Sequence, residues 1–583
     1  MHREYLMGNE AMALGALAAG VNVVAGYPGT PSTEVLETVA KHNAGGRIHV
    51  EWSTNEKAAM EVGAGAAYSG ARVLVTMKQV GLNVAADPLM SLEYIGVEGG
   101  MVVLVADDPG PISSQTEQDT RYFAAFAKVP CFDPSSVAEA YAMIQEAFDF
   151  SERYHTPVFF RPTTRIDHGY ASIEVKDEAE YAGHESRGFM RDPSKWVIFP
   201  RLSTRAHAAI EARNVELAKV FSGYARNTIE HGASLSRKGI ATHGVSYSYV
   251  QETIAEQEKT GAELPRVFKV STPFPFPEQQ AVAFLTGLDE VLCIEELDPV
   301  IERELTYVCG KYQIPVRIRG KLTGDILPSG ENTRDAVDTA VASFMNWPHE
   351  AAASLPEPPV SVVRPPVLCA GCPHRGFFYA LSKKKNVMVT GDIGCYTLAA
   401  SEPLNALDTT ICMGAGLSAG HGAAVVMNKS DNNMRVVGVL GDSTFFHSGI
   451  TSLMDVVYNA GNSISVILDN RITAMTGQQE NPGTGFTLMG KPAVEADIPM
   501  MCKAIGIKEN NIYIVNPLVL SEVDEALDEC LEKDEPTVII TRWPCVLKKF
   551  SNQDIKEFDL SKKVCKIDRD KCKNCKLCVK TGC

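Results

Sequence analysis

Gly441-Asp442-Ser443-Thr444 and, at the end of the next apolar run, Asp469-Asn470-Arg471-Ile472 are the residues whose types and spacing most plainly suit chemistry. A strand ending in Gly-Asp sets a carboxylate beside a tight turn, and the backbone N–H groups of such a turn can receive a diphosphate. The run SISVILDN reads as a second buried strand ending in an amide. Asp442, the Asn470 side chain and a nearby carbonyl would offer Mg²⁺ the hard oxygens it prefers, with phosphate oxygens completing the octahedron. The bland alternative is an ordinary strand–turn–helix with polar ends.

Cysteines carry a second chemistry. There are 15 of them, and MHREYLMGNE does not read as a signal peptide, so thiols or metal are expected rather than disulfides. The tail runs C-x₂-C-x₂-C through Cys572, Cys575 and Cys578, with Cys583 close behind. That spacing suits a [4Fe–4S] cubane, as in bacterial ferredoxins, and zinc is the alternative. No proline and no second half-motif follow Cys583, so the tail is expected to be the start of a truncated ferredoxin-type domain. A separate group comprises Cys369 and Cys372, a natural bite for one metal centre, and Cys395 after the strand edge NVMVTGDIGC. Cys545, at the end of TVIITR, is the best fourth ligand for an inner [4Fe–4S] cluster. Buried structural thiols are the alternative, and they suit Cys293, Cys412 and Cys502 well.

The stretch IHVEWSTNEKAAMEVGAGAAYSGARVLVT predicts a strand, then Glu56 opening a small-residue helix, then another strand. At a helix start the dipole favours the ionised carboxylate. Read bare, Glu56 is a solvated first-turn acid, and Glu61 one turn on faces solvent or a partner helix. The pair of turns at 441 and 469 resembles the thiamine-diphosphate signature, a GDG-type turn followed by an NN-type pair, with Ser443 and Asp469 at the variant positions. Such a cofactor needs a carboxylate against its aminopyrimidine ring, in a strand–Glu–helix context on another α/β domain, and Glu56 has that context.

These residues need several domains to position them, and 583 residues suffice. Residues 1–185 alternate apolar strands (VNVVAGYPG, ARVLVTMK, GMVVLVADD, TPVFFRP) with Ala/Gly-rich helices, which predicts a mostly parallel sheet. A polar, less regular segment spans 186–235, and a further α/β domain spans 236–345. Residues 346–366 are proline-rich and read as a linker to an α/β domain at 367–550, and 551–583 hold a charged connector and the tail. The net charge of −16 and the lack of a basic stripe argue against a nucleic-acid partner. No apolar run reaches membrane-spanning length, so a cytoplasmic chain is expected.

The phrases GYPGTPSTEV, NEKAAMEVGAGAAYSGAR, KQVGLNVAADPLM, SSQTEQDTRYFA, CAGCPHRG, GDIGCYTLA, GDSTFFHSGI and LDNRITAMTGQQ run in order along nearly the whole chain. In them the chain resembles the large (alpha) subunits of the indolepyruvate:ferredoxin oxidoreductases, within the 2-oxoacid:ferredoxin oxidoreductase superfamily. The resemblance implies an α/β, multi-domain fold, with two thiamine-diphosphate-binding-type parallel-sheet domains flanking a further α/β domain of the transketolase C-terminal kind. It implies oxidative decarboxylation of aryl 2-oxoacids (indolepyruvate, phenylpyruvate, hydroxyphenylpyruvate) to acyl-CoA, with electrons passing singly through the inner cluster to ferredoxin. It also implies thiamine diphosphate and Mg²⁺ as cofactors, a smaller beta subunit, and a hetero-oligomer with two or more copies.

Carried onto this sequence, the resemblance makes Glu56 the aminopyrimidine partner and Asp442, Asn470 and the Ile472 carbonyl the Mg²⁺ ligands, with Gly441, Ser443 and Thr444 in the diphosphate turn. Thr30 matches a polar group near the substrate, or else caps the next helix. Met413 matches the residue that props the cofactor's bend, or else is core. Arg121 could fork a carboxylate, or form a surface salt bridge. His374 and His447 sit beside motif glycines, where solvent or backbone partners explain them as well as proton transfer does. Met475 replaces a polar amide of relatives acting on small oxoacids and suits a more apolar pocket. Two rivals share parts of this pattern: a non-redox thiamine decarboxylase or lyase, and a non-catalytic electron-transfer or scaffold subunit.

Overall fold

The computed structural model describes residues 1–43, 45–230, 236–348, 362, 365–428, 434–560, 566–576 and 578. The chain divides into two compact units, Met1–Pro359 and Val360–Cys583.

Among the described residues the first unit holds two large sheets and one of two strands. Its N-terminal sheet comprises β1 (Val23–Gly26), β2 (His49–Trp52), β3 (Val73–Lys78), β4 (Met101–Ala106), β5 (Cys131–Phe132) and β6 (Val158–Phe160), in the order β2-β1-β3-β4-β6-β5. Every pairing is parallel. β4 is buried along its whole length, the near-continuous apolar run that a sheet covered on both faces requires. The chain leaves β1 toward β2 and then returns to place β3 on the other side of β1. That reversal makes a topological switch point between β1 and β3, where parallel sheets open a crevice beyond their carboxyl ends. An antiparallel pair, His2–Met7 with Tyr170–Val175, brings the N-terminus against the end of this domain.

The second sheet comprises β7 (Thr228–Glu230), β8 (Lys238–Thr242), β9 (Arg266–Lys269), β10 (Glu290–Ile294) and β11 (Arg317–Arg319), ordered β11-β10-β8-β9-β7. Only β7 is antiparallel. The segment read as irregular, 186–235, differs from that expectation. It contains a 23-residue helix, Pro200–Ser222, and it donates β7. The helix buries Ile210, Asn214, Leu217 and Phe221, a narrow helical stripe hidden in a polar composition. Phe221 stacks on Phe150 and meets Phe132 edge-on, tying the helix to the first sheet.

The second unit has one sheet of six parallel strands: β12 (Val387–Gly391), β13 (Thr409–Thr410), β14 (Arg435–Gly441), β15 (Ile464–Asp469), β16 (Ile512–Val515) and β17 (Thr537–Arg542). Its order, β13-β12-β14-β15-β17-β16, is that of the N-terminal sheet. Beyond it the connector forms a short helix, Asn552–Glu557, opened by a Ser551–Asp554 capping box. No helix among the described residues is long and apolar enough to cross a membrane.

Candidate functional site

In the second unit the motif residues gather at the carboxyl ends of the strands. β14 ends at Gly441, and Asp442 begins a helical run that continues to Tyr458. Asp442 is 3 % exposed, and burial and the charge of Asp469 push its carboxyl up to about 7. Asn481 donates to it at 3.1 Å, and no lysine or arginine pairs with it among the described residues. The Thr473 hydroxyl donates to Ser443 at 2.8 Å, and the Thr444 and Tyr396 hydroxyls meet at 3.1 Å. Asn470 follows β15: its amide donates to His374 Nε2 at 3.2 Å, and its side-chain oxygen accepts the Ile472 N–H at 3.3 Å. A buried carboxylate with no cation, an amide and a neighbouring backbone carbonyl form a hard-oxygen set that fits Mg²⁺ and a diphosphate.

Met413 lies half-buried in the loop after β13, and its carbonyl accepts a hydrogen bond from Ser448 at 2.9 Å. Asp392, directly after β12, accepts the Gly414 and Ile393 N–H groups. Burial raises Asp392 to about 7 against those donors.

Cys369, Cys372, Cys395 and Cys545 line one cavity with His374 and Asn470. They come from the segment before a helix (His374–Leu381), from the turn after β12, and from the end of β17. The Cys545 N–H donates to the Asn470 carbonyl at 2.9 Å, which fixes the thiol segment to the turn after β15. Burial and the mutual proximity of the thiols raise Cys372 to about 12 and Cys395 to about 11, and burial raises Cys545. A metal reverses this, because coordination deprotonates a thiol outright. The four thiols line one cavity and are the soft ligand type an iron–sulfur cluster takes, while among the described residues no group of three or more His, Cys, Asp or Glu is arranged to hold a metal ion. His374 is buried, and burial lowers it to about 4, so it accepts from Asn470 as a neutral ring. The expected solvent or backbone partner of His374 is therefore corrected to a side chain. His447 is also buried, with Nδ1 at 3.0 Å from the Ser448 hydroxyl. Met475 is exposed on this unit. In the tail, Cys572, Cys575 and Cys578 are exposed, and Cys583 lies outside the described residues.

In the first unit, Glu56 begins the helix Glu56–Tyr68, capped by Asn55, whose side chain accepts the Ala58 N–H at 2.8 Å. The solvated-acid alternative does not hold, since Glu56 is 6 % exposed. Its carboxylate lies against Gly81, where an added Cβ would stand 2.6 Å from Oε1. Glu61 is exposed and pairs with Lys57. Thr30 is half-buried in the loop after β1, and its carbonyl accepts from the Ser113 hydroxyl at 3.2 Å. The helix-cap alternative fails for Thr30: the next helix is preceded by Ser32, and the Thr33 hydroxyl receives the Gly29 N–H at 3.0 Å.

Arg121 is the clear correction. It is buried and fully committed, to Asp119 at 2.6 Å, Glu295 at 2.9 Å, His243 Nε2 at 3.1 Å, and the Glu296 and Asp298 carbonyls at 2.8 Å each. It is neither a surface bridge nor a fork open to a ligand. The network runs on from His243 to Asp133 at 2.7 Å, from Asp133 to Arg161 at 3.1 Å, and from Arg161 to Asp107 at 2.7 Å, joining the two sheets of this unit. Burial and the Arg121 charge lower His243 to about 4.

Gly81, Asp392 and Asn481 touch these residues without having been singled out in the sequence, and Lys78 closes the strand before Gly81. A lysine closing the apolar run ARVLVTM was a visible signal; Asn481 had none.

A phosphate-receptive turn, a buried helix-start carboxylate and a four-thiol cavity on paired α/β folds define the class of thiamine-diphosphate-dependent 2-oxoacid oxidoreductases. Residues 14–213 match the pyruvate flavodoxin/ferredoxin oxidoreductase thiamine-diphosphate-binding domain, and residues 392–541 match the C-terminal TPP-binding domain of thiamine pyrophosphate enzymes. The chain is 37% identical over 610 residues to the indolepyruvate oxidoreductase subunit IorA of Pyrococcus abyssi, covering 100% of this chain and 91% of that protein. It is 37% identical over 591 residues to IorA of Methanothermobacter thermautotrophicus, covering 99% and 91%. Among solved structures, the 2-oxoglutarate:ferredoxin oxidoreductase of Magnetococcus marinus is similar at a TM-score of 0.48 and 16% identity, over 59% of this chain and 65% of that one. The chain belongs to the IorA family, the large subunits of thiamine-diphosphate-dependent 2-oxoacid:ferredoxin oxidoreductases.

Proposed function

We propose that the chain oxidatively decarboxylates aryl 2-oxoacids such as indolepyruvate, phenylpyruvate and hydroxyphenylpyruvate to the aryl-acetyl-CoA, passing electrons one at a time to ferredoxin. The names of its relatives support indolepyruvate as the substrate class. One observation carries the redox reading: Cys369, Cys372, Cys395 and Cys545, distant in sequence, face one cavity that also touches Asn470. A simple decarboxylase has no need for such a group.

Thiamine diphosphate, when bound, supplies the carbanion-stabilising electron sink that decarboxylation of a 2-oxoacid requires. The protein's own residues bind and tune it. Asp442, Asn470 and the Ile472 carbonyl hold Mg²⁺, the turn from Gly441 through Ser443 to Thr444 receives the diphosphate, and Met413 supports the cofactor's bend. Glu56 moves the proton at the aminopyrimidine ring from a buried position at the start of its helix. The four thiols would hold a [4Fe–4S] cluster and drain electrons. Cys572, Cys575, Cys578 and Cys583 are assigned to a second cluster facing ferredoxin. A smaller beta subunit and coenzyme A complete the reaction, in the cytoplasm.

Iron, acid-labile sulfide and thiamine diphosphate measured per chain after anoxic purification test this reading, together with phenylpyruvate- and CoA-dependent reduction of ferredoxin. Iron above the content of one cubane, with ferredoxin reduction, is expected. Cofactor without iron would sink the redox reading and leave a non-redox decarboxylase. Replacing Cys545 with Ala is expected to abolish ferredoxin reduction while thiamine diphosphate stays bound.

A further inference from the structure

With Arg121 locked in its buried network, an anionic substrate at the N-terminal sheet needs another cation, and among the described residues Lys78 ends a strand at the switch point. Lys78 is the last residue of β3, directly across the topological reversal from the loop that follows β1. Its stem packs on that loop, since a Cβ added to Gly29 would stand 3.3 Å from Lys78 Cγ. The helix that begins at the next residue, Gln79–Val84, carries Gly81, the residue against which the Glu56 carboxylate rests. Lys78, the Thr30 loop and Glu56 thus converge on one end of one sheet.

The ammonium of Lys78 is poorly satisfied. It reaches only two neutral oxygens, the Ser113 carbonyl at 3.2 Å and the Ser114 hydroxyl at 3.4 Å, both long. Among the described residues no carboxylate lies within ion-pairing distance of it. Asp108, which could have approached, is already occupied by the Ser113 N–H at 2.8 Å and the Thr164 hydroxyl at 2.7 Å. Burial lowers Lys78 below its ordinary value, against the charges of Asp108 and Glu56. Beside it, Gln79 is buried, donates to the Thr116 carbonyl at 3.2 Å, and leaves its side-chain oxygen without a partner among the described residues. A partly buried lysine held by two weak neutral contacts gains most from an anionic ligand.

We propose that Lys78 receives the carboxylate of the 2-oxoacid, at the end of β3 beside the loop after β1 and the loop at Ser113-Ser114. This rests on the reading above that the chain turns over a 2-oxoacid. A contact present both before and during the reaction raises affinity more than turnover.

The test uses the complete two-subunit enzyme with Lys78→Met and Lys78→Arg, phenylpyruvate as substrate, and 3-phenylpropanoate and 3-phenylpropanamide as inhibitors. Losing one charge-assisted contact is expected to raise KM for phenylpyruvate in Lys78→Met by roughly 10- to 100-fold, with kcat within a few-fold. The preference for the carboxylate inhibitor over the amide falls toward unity in Lys78→Met and is largely kept in Lys78→Arg. Thiamine diphosphate affinity stays at the wild-type value in both variants. Wild-type KM and wild-type carboxylate preference in Lys78→Met would overturn the proposal, and so would loss of cofactor binding with no change in that preference, the mark of a loop clasp. An unmutated enzyme that turns over no 2-oxoacid would instead overturn the functional reading itself.

Discussion

The N-terminal sheet and the sheet of the second unit share one strand order and an all-parallel register, yet their carboxyl ends differ in what lies beside the charges they pair. After the fourth and sixth strands, the N-terminal sheet places Asp107 and Arg161, which pair with each other at 2.7 Å. The corresponding strands of the second unit also end in a pair, Asp469 with Arg542 at 3.3 Å, and just beyond it Asn470 and Cys545 face a cavity. After the third strand one sheet ends in Lys78 and the other continues into Asp442, and neither charge has an ionic partner among the described residues. The same scaffold therefore distinguishes two kinds of strand end. Some are neutralised internally and hold domains together; others are left unsatisfied and wait for a ligand. A charged residue's type does not separate the two, but its partners do.

The largest effect expected to sharpen this contrast comes from Glu56→Gln. If Glu56 carries the proton as proposed, its loss is expected to lower turnover roughly 10²–10⁴-fold, with thiamine diphosphate still bound. Asp442→Asn, by contrast, is expected to lose Mg²⁺ and cofactor together. Equilibrium dialysis of cofactor beside steady-state rates separates them. If Glu56→Gln released the cofactor, the division of labour between the two sheets would be wrong.

Next comes Arg121→Met. Breaking a buried ion pair on one side leaves charges unpaired at Asp119 and Glu295, a cost of about 3–5 kcal/mol. Urea denaturation is expected to show that loss, with KM for the 2-oxoacid unchanged in the protein that still folds. A raised KM at undiminished stability would return Arg121 to the substrate.

The smallest effect concerns pH. His243 in the first unit has its pKa lowered to about 4 from an ordinary 6.5, mainly by burial and the charge of Arg121. The unfolded chain therefore takes up the proton first. The His243 contribution is complete above about pH 6.5 and is lost as pH falls toward 4, about 3 kcal/mol in all. His243→Gln should flatten that part of the stability profile. His374 in the second unit is lowered to about 4 by burial alone, and it adds an acid loss of the same sign. An unchanged slope after His243→Gln would mean that the ring is already protonated in the fold.

Much of the fold was legible. Runs such as SISVILDN and TVIITR are continuous and β-branched, and they became β15 and β17. The Gly-Asp phrase became a strand end followed by a helix start, as its residues required. The helix Pro200–Ser222 was not legible, because most of its surface is polar and only a narrow stripe is buried.

The sequence by itself determined what chain-neighbours settle: strand, turn and helix in order, Glu56 at a helix start, and two thiols sharing one bite in Cys369-Ala-Gly-Cys372. Only the tertiary structure decided which distant groups meet. It set Cys545 beside thiols far earlier in the chain, gave Arg121 to Asp119 and Glu295, and left Lys78 without a carboxylate among the described residues. The reason is physical. Parallel strands are joined by long crossovers, so side chains at neighbouring strand ends are far apart in sequence, and their partnership depends on strand order and register rather than on local spacing.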